Sequence, residues 1–264
     1  MLNMNEHIPA CDVIFITLDS LRFDVAQEAF NKGALPNFAK WLPSEGWEER
    51  YTPASFTYPA HQAFFSGFLP TKIQERITKR LFVPSFLGSE SLDDNTFAFE
   101  EASIPAALSN RGYDTVCIGG VGFFNKQTAL SNVLPNLFSR SEWSVEMGVS
   151  EKESSRYQFE KAITYLKDSP VFLFINVSAT HQPTNIYIEG AKDDSVATQK
   201  AALTYVDSQL PILQKALARR NRNQVIIVCS DHGTAFGEDD HWGHRNGHEK
   251  VMRVPYLQFY NKVC

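Results

Sequence analysis

Asp231 and His232 stand side by side at the end of the apolar run QVIIVCS, and four of the chain's seven histidines fall between Ser230 and His248. A carboxylate and an imidazole in a turn leaving a strand can face one point, an oxygen and nitrogen ligand pair suited to zinc or manganese. Gly233 gives that turn freedom. Asp19 ends another apolar run, ITLD. Buried there it needs a cation, unless it caps the helix that follows. Arg22 and Asp24, close behind, suit a local ion pair. Thr57 precedes Tyr58-Pro59 and an apolar, helix-like run through Phe65. It is either a helix cap or a hydroxyl set where free backbone N–H groups and the helix dipole attract the oxygens of an anionic ester. As a nucleophile it requires activation, which a bound metal ion supplies. His181 follows a third apolar run, VFLFINV, by a few residues.

The elements that must position these groups are legible as five short apolar runs, at 11–18, 113–120, 171–177, 224–230 and 254–260, rich in β-branched and aromatic residues. Helix-like segments lie between them, around 101–111, 151–168 and 195–220. The alternation predicts an α/β fold, a doubly wound, mostly parallel sheet with helices on both faces. In such a sheet, ligands collect beyond the carboxyl ends of the strands, which is where Asp19, His181 and Asp231-His232 fall. The span 70–98, with Pro70, Pro84 and Gly88, reads as an excursion over the sheet edge. Together with 122–150 it is expected to wall the pocket.

At 264 residues and 43% hydrophobic, the chain fits one domain spanning 1–264. A formal charge of -5 and a pI near 5.8 argue against a broad cationic surface for nucleic acid. The N-terminus lacks a basic start followed by an apolar run of signal length, and no stretch supplies about 18 uninterrupted apolar residues. A cytoplasmic location without a membrane segment is expected. Cys11, Cys117 and Cys229 lie in or beside apolar runs and Cys264 is terminal, a scatter expected of reduced thiols. A metal-free nucleotide-binding domain is disfavoured, since neither GxGxxG nor GxxxxGK[ST] is present.

Six segments in order, ITLDSLR, TPASFTYPAHQAFFSGFLPT, LSNRGYDTVCIGG, FINVSATHQP, LTYVDSQLPILQKAL leading into VIIVCSDHG, and GHRNGHEKVMRVP, resemble the sulfatase-like hydrolases of the alkaline phosphatase superfamily. The resemblance implies that Asp19, Asp231 and His232 bind a divalent metal, and that Thr57 is the nucleophile and touches it. It implies that His181 and His244 contact the anionic group or leaving oxygen, and it leaves His241 and His248 for a second metal or for substrate. True sulfatases carry Cys or Ser in C/S-x-P-x-R, converted to formylglycine; here Thr57-Tyr58-Pro59-Ala60-His61 stands instead, and threonine cannot be converted. The family's paired acids after the first strand are Asp19-Ser20, favouring manganese or zinc over calcium, with magnesium as a further alternative. Gly119-Gly120-Val121-Gly122 lacks the family's substrate-binding lysine, leaving Lys126 or Asn125 as substitutes. The chain stops soon after the last strand, so the smaller C-terminal subdomain of many relatives is not expected. The expected activity is hydrolysis or transfer of a small anionic ester, a phosphodiester first, through a phosphothreonine on Thr57. The alternatives are a phosphomonoesterase, an unconventional sulfatase with one or two metals, and a metal-dependent binding pseudoenzyme.

Overall fold

The five apolar runs all become strands of one eight-stranded sheet. The computed structural model describes residues 2–73, 79–87 and 93–263. In chain order the strands are β1 (Asp12–Leu18), β2 (Glu48–Tyr51), β3 (Thr71–Lys72), β4 (Asp114–Ile118), β5 (Arg140–Glu142), β6 (Val171–Val177), β7 (Gln224–Cys229) and β8 (Arg253–Asn261). They lie side by side as β3-β2-β8-β7-β1-β6-β4-β5. The block from β7 to β5 is parallel, with β1 between β6 and β7. β8, β2 and β3 complete the other edge in antiparallel register. The sheet is therefore mostly parallel, as expected, and the last apolar run is the antiparallel member.

Every residue of β1, β6 and β7 is buried, as strands covered on both faces must be. Period-two alternation along β1 splits its side chains between two layers. Ile14, Ile16 and Leu18 pack on α1 (Phe23–Asn31), α4 (Ser154–Ile163) and α5 (Val196–Ala218). Val13 and Phe15 face the other way, against Phe172 and Phe174 and the apolar sides of α2 (Thr57–Phe65) and α3 (Ile104–Ser109). The rings of Phe65 and Phe174 meet edge to face at 5.0 Å, a contact that pins α2 to β6. The three helix-like segments thus appear as α3, α4 and α5. Ser103 and Ser195 start α3 and α5 by accepting from the N–H groups of Ala106 and Thr198.

The span 70–98 supplies the edge strand β3 and a short parallel pair, Phe82–Pro84 with Phe97–Phe99, whose rings join the second core layer. Its remaining parts, 74–78 and 88–92, lie outside the described residues. Cys11, Cys117 and Cys229 are buried free thiols, and Cys264 also falls outside the described residues.

Candidate metal centre and active site

Asp19 follows β1 and Asp231 and His232 follow β7; because these strands are neighbours in parallel register, their ends meet. Among the described residues, Asp19, Asp231 and His232 form the one group of three metal-ligating side chains with ligand atoms all within 4.8 Å of one another, and each is fully buried. Ser20 stitches the two loops together. It takes a left-handed backbone (φ 61°), donating its N–H to Asp231 Oδ1 at 3.1 Å and its hydroxyl to Asp19 Oδ1 at 3.0 Å. Asn176, from the end of β6, donates to Asp19 Oδ2 at 2.9 Å and accepts the Val121 N–H at 3.0 Å. Asp19 is therefore hydrogen-bonded on both oxygens.

Asp231 accepts the N–H groups of Ser20 and His232 on Oδ1, whereas its Oδ2 is buried with no hydrogen-bond partner. His232 donates Nδ1–H to the Gly233 carbonyl at 2.8 Å, which leaves Nε2 with a bare lone pair. That nitrogen lies 3.5 Å from Asp231 Oδ2, 3.9 Å from Asp19 Oδ1 and 3.3 Å from Thr57 Oγ1. Burial pushes the Asp19 carboxyl up, and the nearby Asp231 carboxylate adds to the rise. Burial likewise raises Asp231 to about 6 and lowers His232 to about 4. Two buried carboxylates that repel one another, one with an idle oxygen, beside a neutral imidazole with a free nitrogen, form a donor set that fits a divalent cation. Gly233 is needed here, because a Cβ would sit 2.0 Å from the Lys250 carbonyl oxygen.

Thr57 is the first residue of α2, and Phe56 holds the cap position. The threonine side chain does not cap the helix; its hydroxyl faces His232 Nε2, and the residue is 2% exposed. One turn on, His61 donates Nδ1–H to the Thr57 carbonyl at 2.7 Å and accepts the Thr17 hydroxyl on Nε2 at 3.1 Å. Burial lowers its pKa to about 4, so its 3.7 Å approach to Asp231 is that of a neutral ring.

His244 packs its ring 4.6 Å from that of His232 and 5.8 Å from that of His181. Its Nδ1 is buried without a partner, and burial, reinforced by the neighbouring imidazoles, lowers it to about 4. His181 bonds through Nδ1 to the Gln182 carbonyl at 2.5 Å. Thr57, His181 and His244 line a cavity of about 400 Å³ with Val121, Phe123, Leu130, Val149 and Arg245. The segment 122–150 does form its wall; no described residue of 70–98 lines it. Lys126 and Asn125 lie off the lining, Lys126 donating to the Ser141 carbonyl and Asn125 accepting the Gln127 N–H.

His241 and His248 form a separate pair with ring centres 5.1 Å apart, and belong to no group of three ligands among the described residues. His248 bonds Asp239 at 3.1 Å and caps the short helix Glu249–Met252 by accepting the Lys250 N–H. Glu238, in the same loop, is tied back to the body of the fold. It bonds Arg22 at 2.5 Å, because that 2% exposed guanidinium, also paired with Asp24 at 2.7 Å, requires carboxylates. Sequence reading missed His61 and Asn176. The signal for His61 was its i+4 spacing from Thr57 on one helix face; Asn176 gave only an amide inside an apolar strand.

A family model described as Sulfatase matches residues 12–263. The chain belongs to the sulfatase family. Solved structures similar to this sulfatase-family chain include the C-terminal periplasmic domain of the phosphoethanolamine transferase EptC from Campylobacter jejuni, at TM-score 0.61 and 13% identity over 99% of this chain and 84% of that one. The corresponding domain of EcEptC from Escherichia coli, in complex with Zn, aligns at TM-score 0.60 and 12% identity over 96% and 73% of the two chains. A protein in the alkaline phosphatase superfamily from Vibrio parahaemolyticus aligns at TM-score 0.57 and 18% identity over 96% and 61%. These likenesses show the fold, the alkaline phosphatase arrangement of a mostly parallel sheet with flanking helices. A comparison with curated protein sequences gives no match. Among the described residues no helix is long and apolar enough to cross a membrane.

Proposed function

We propose that this chain is a metal-dependent hydrolase or transferase of phosphate esters, phosphodiesters first, working through a phosphothreonine on Thr57. One observation carries the reading: the Thr57 hydroxyl, at the N-terminus of α2 and on the cavity, lies 3.3 Å from the bare Nε2 of His232, beside the idle oxygen of Asp231. Asp19, Asp231 and His232 would hold a divalent cation, zinc or manganese by their chemistry. Such a cation supplies positive charge that neutralises the two carboxylates and favours ionisation of a neighbouring hydroxyl.

In the proposed reaction Thr57 Oγ1 forms a bond to phosphorus in line with the alcohol that leaves, and the α2 N-terminus attracts the non-bridging oxygens. His181 donates Nδ1–H to a carbonyl, so its other ring nitrogen is a free base that takes the proton Thr57 gives up and passes it to the departing alkoxide, then takes one from water or an acceptor alcohol and returns it to Thr57. That second alcohol or water displaces Thr57 and restores the hydroxyl. His244, held neutral by burial, supports the anionic group through ring nitrogen hydrogen bonding. Sulfate-ester cleavage by the formylglycine route is disfavoured, since threonine is not convertible. The names of the structural neighbours, phosphoethanolamine transferases, agree with phosphate chemistry.

Thr57→Ala is expected to lower turnover of bis-p-nitrophenyl phosphate by roughly 10³-fold or more while leaving circular dichroism and metal content unchanged. A variant with full phosphodiesterase activity refutes the assignment. Comparing the phenyl diester, p-nitrophenyl phosphate and p-nitrophenyl sulfate under zinc and manganese ranks the ester classes.

A further inference from the structure

Arg245 directly follows His244, and among the described residues it brings the one permanent charge to the cavity shared by Thr57, His181 and His244. Two contacts fasten it to the end of α2. Its backbone N–H donates to the Ser55 carbonyl at 2.8 Å, and its guanidinium lies 5.1 Å from the centre of the Phe56 ring, the residue that caps the helix begun by Thr57. Nothing neutralises it: among the described residues no carboxylate comes within 4.0 Å, although Glu238, Asp239 and Asp240 lie a few positions upstream. Two of these acids are engaged elsewhere, Glu238 with Arg22 and Asp239 with His248. The backbone at Arg245 is left-handed (φ 71°), an unfavoured state for a side chain of this size. Val121, Phe123, Leu130 and Val149 give the cavity an apolar wall with no charge to compete for an anion.

We propose that Arg245 is a substrate-binding residue that grips the anionic ester group. The two non-bridging oxygens of a phosphodiester monoanion match the paired N–H donors of a guanidinium, a fit that a lysine ammonium does not reproduce. The apolar wall takes the organic portion of the ester. This rests on the reading of Thr57 as the centre of reaction.

The test uses the metal-loaded wild type, Arg245→Gly and Arg245→Lys. Glycine removes the guanidinium and tolerates the left-handed backbone, so the fold is retained. KM for bis-p-nitrophenyl phosphate and the Kd for inorganic phosphate, measured by calorimetry, are expected to rise about 10- to 100-fold in Arg245→Gly, the loss of a charge-assisted pair. Metal content stays unchanged, and Arg245→Lys recovers part of the loss. Unchanged KM and unchanged phosphate Kd in Arg245→Gly overturn the proposal. So does a loss that is confined to kcat, or one matched by loss of metal. Phosphate binding needs no turnover, so it decides the role of Arg245 even if Thr57→Ala proves fully active, an outcome that overturns the nucleophile alone.

Discussion

His61 shows how much of a site depends on one neutral ring. Its Nδ1–H holds the carbonyl of Thr57, and its Nε2 takes the hydroxyl of Thr17, which in turn accepts from Asn176 at 3.3 Å. A proton on Nε2 would force the Thr17 hydroxyl to turn from donor to acceptor and place a charge among Phe64, Phe124 and Phe174. Burial accordingly depresses the folded pKa to about 4, against about 6.5 in an unfolded chain. Because the unfolded chain binds the proton first, the stability linked to His61 is complete above pH 6.5 and falls as pH drops through 4, by roughly 3 kcal/mol at the lower limit. His61→Gln removes this titration. The gap in urea midpoint between wild type and His61→Gln is expected to narrow from pH 7 to 4.5; a constant gap contradicts the neutral buried ring. Legibility at this scale followed chemistry. Asp19, Asp231 and His232 stood out because each is a metal-type ligand breaking an apolar run. Asn176, His61 and Arg245 did not, since an amide, an imidazole and a guanidinium gain their roles only from partners far along the chain, as with the 119 positions between Thr57 and Asn176's strand end folded onto one edge.

At the scale of elements, the interior of the sheet was written in the sequence and its rim was not. β1, β6 and β7 are mostly apolar and buried along their whole length because both faces are covered, so composition alone marks them. β2, beside the two-residue edge strand β3, carries Glu48, Glu49 and Arg50, and the edge strand β5 carries Arg140 and Glu142; none shows a periodic signal. The antiparallel direction of β8 was hidden for a different reason: strand direction follows from the connection, and β8 arrives through the loop of 230–252 without a crossover helix of usual length. Thr57 was readable as a helix start but its role was open. The structure puts Phe56 at the cap, which frees the threonine oxygen to face His232.

Across the whole molecule, the two ends of the parallel strands do different work. Beyond the carboxyl ends lie the idle Asp231 oxygen and the unpaired His244 nitrogen, groups left unsatisfied in the fold. At the amino end of β1, Asp12 is fully buried and fully satisfied: Arg220 meets it at 2.6 and 3.0 Å, Arg222 at 3.2 Å, and the Val171 N–H at 3.1 Å. Removing Arg220 leaves that buried carboxylate with Arg222 and the Val171 N–H alone, short of the bidentate partner that offsets most of its desolvation. Arg220→Ala is expected to cost about 3–5 kcal/mol in urea unfolding, while KM and kcat of the folded fraction stay at wild-type values. An unchanged midpoint would show the pair to be dispensable, and a changed KM would couple the two ends.

The donor set of Asp19, Asp231 and His232 can be checked most directly by anomalous diffraction from crystals grown with zinc or manganese. A peak is expected within bonding distance of all three side chains and next to Thr57 Oγ1, lost in Asp231→Asn crystals grown alongside. A peak elsewhere with none between these residues, or one undiminished in Asp231→Asn, would contradict it.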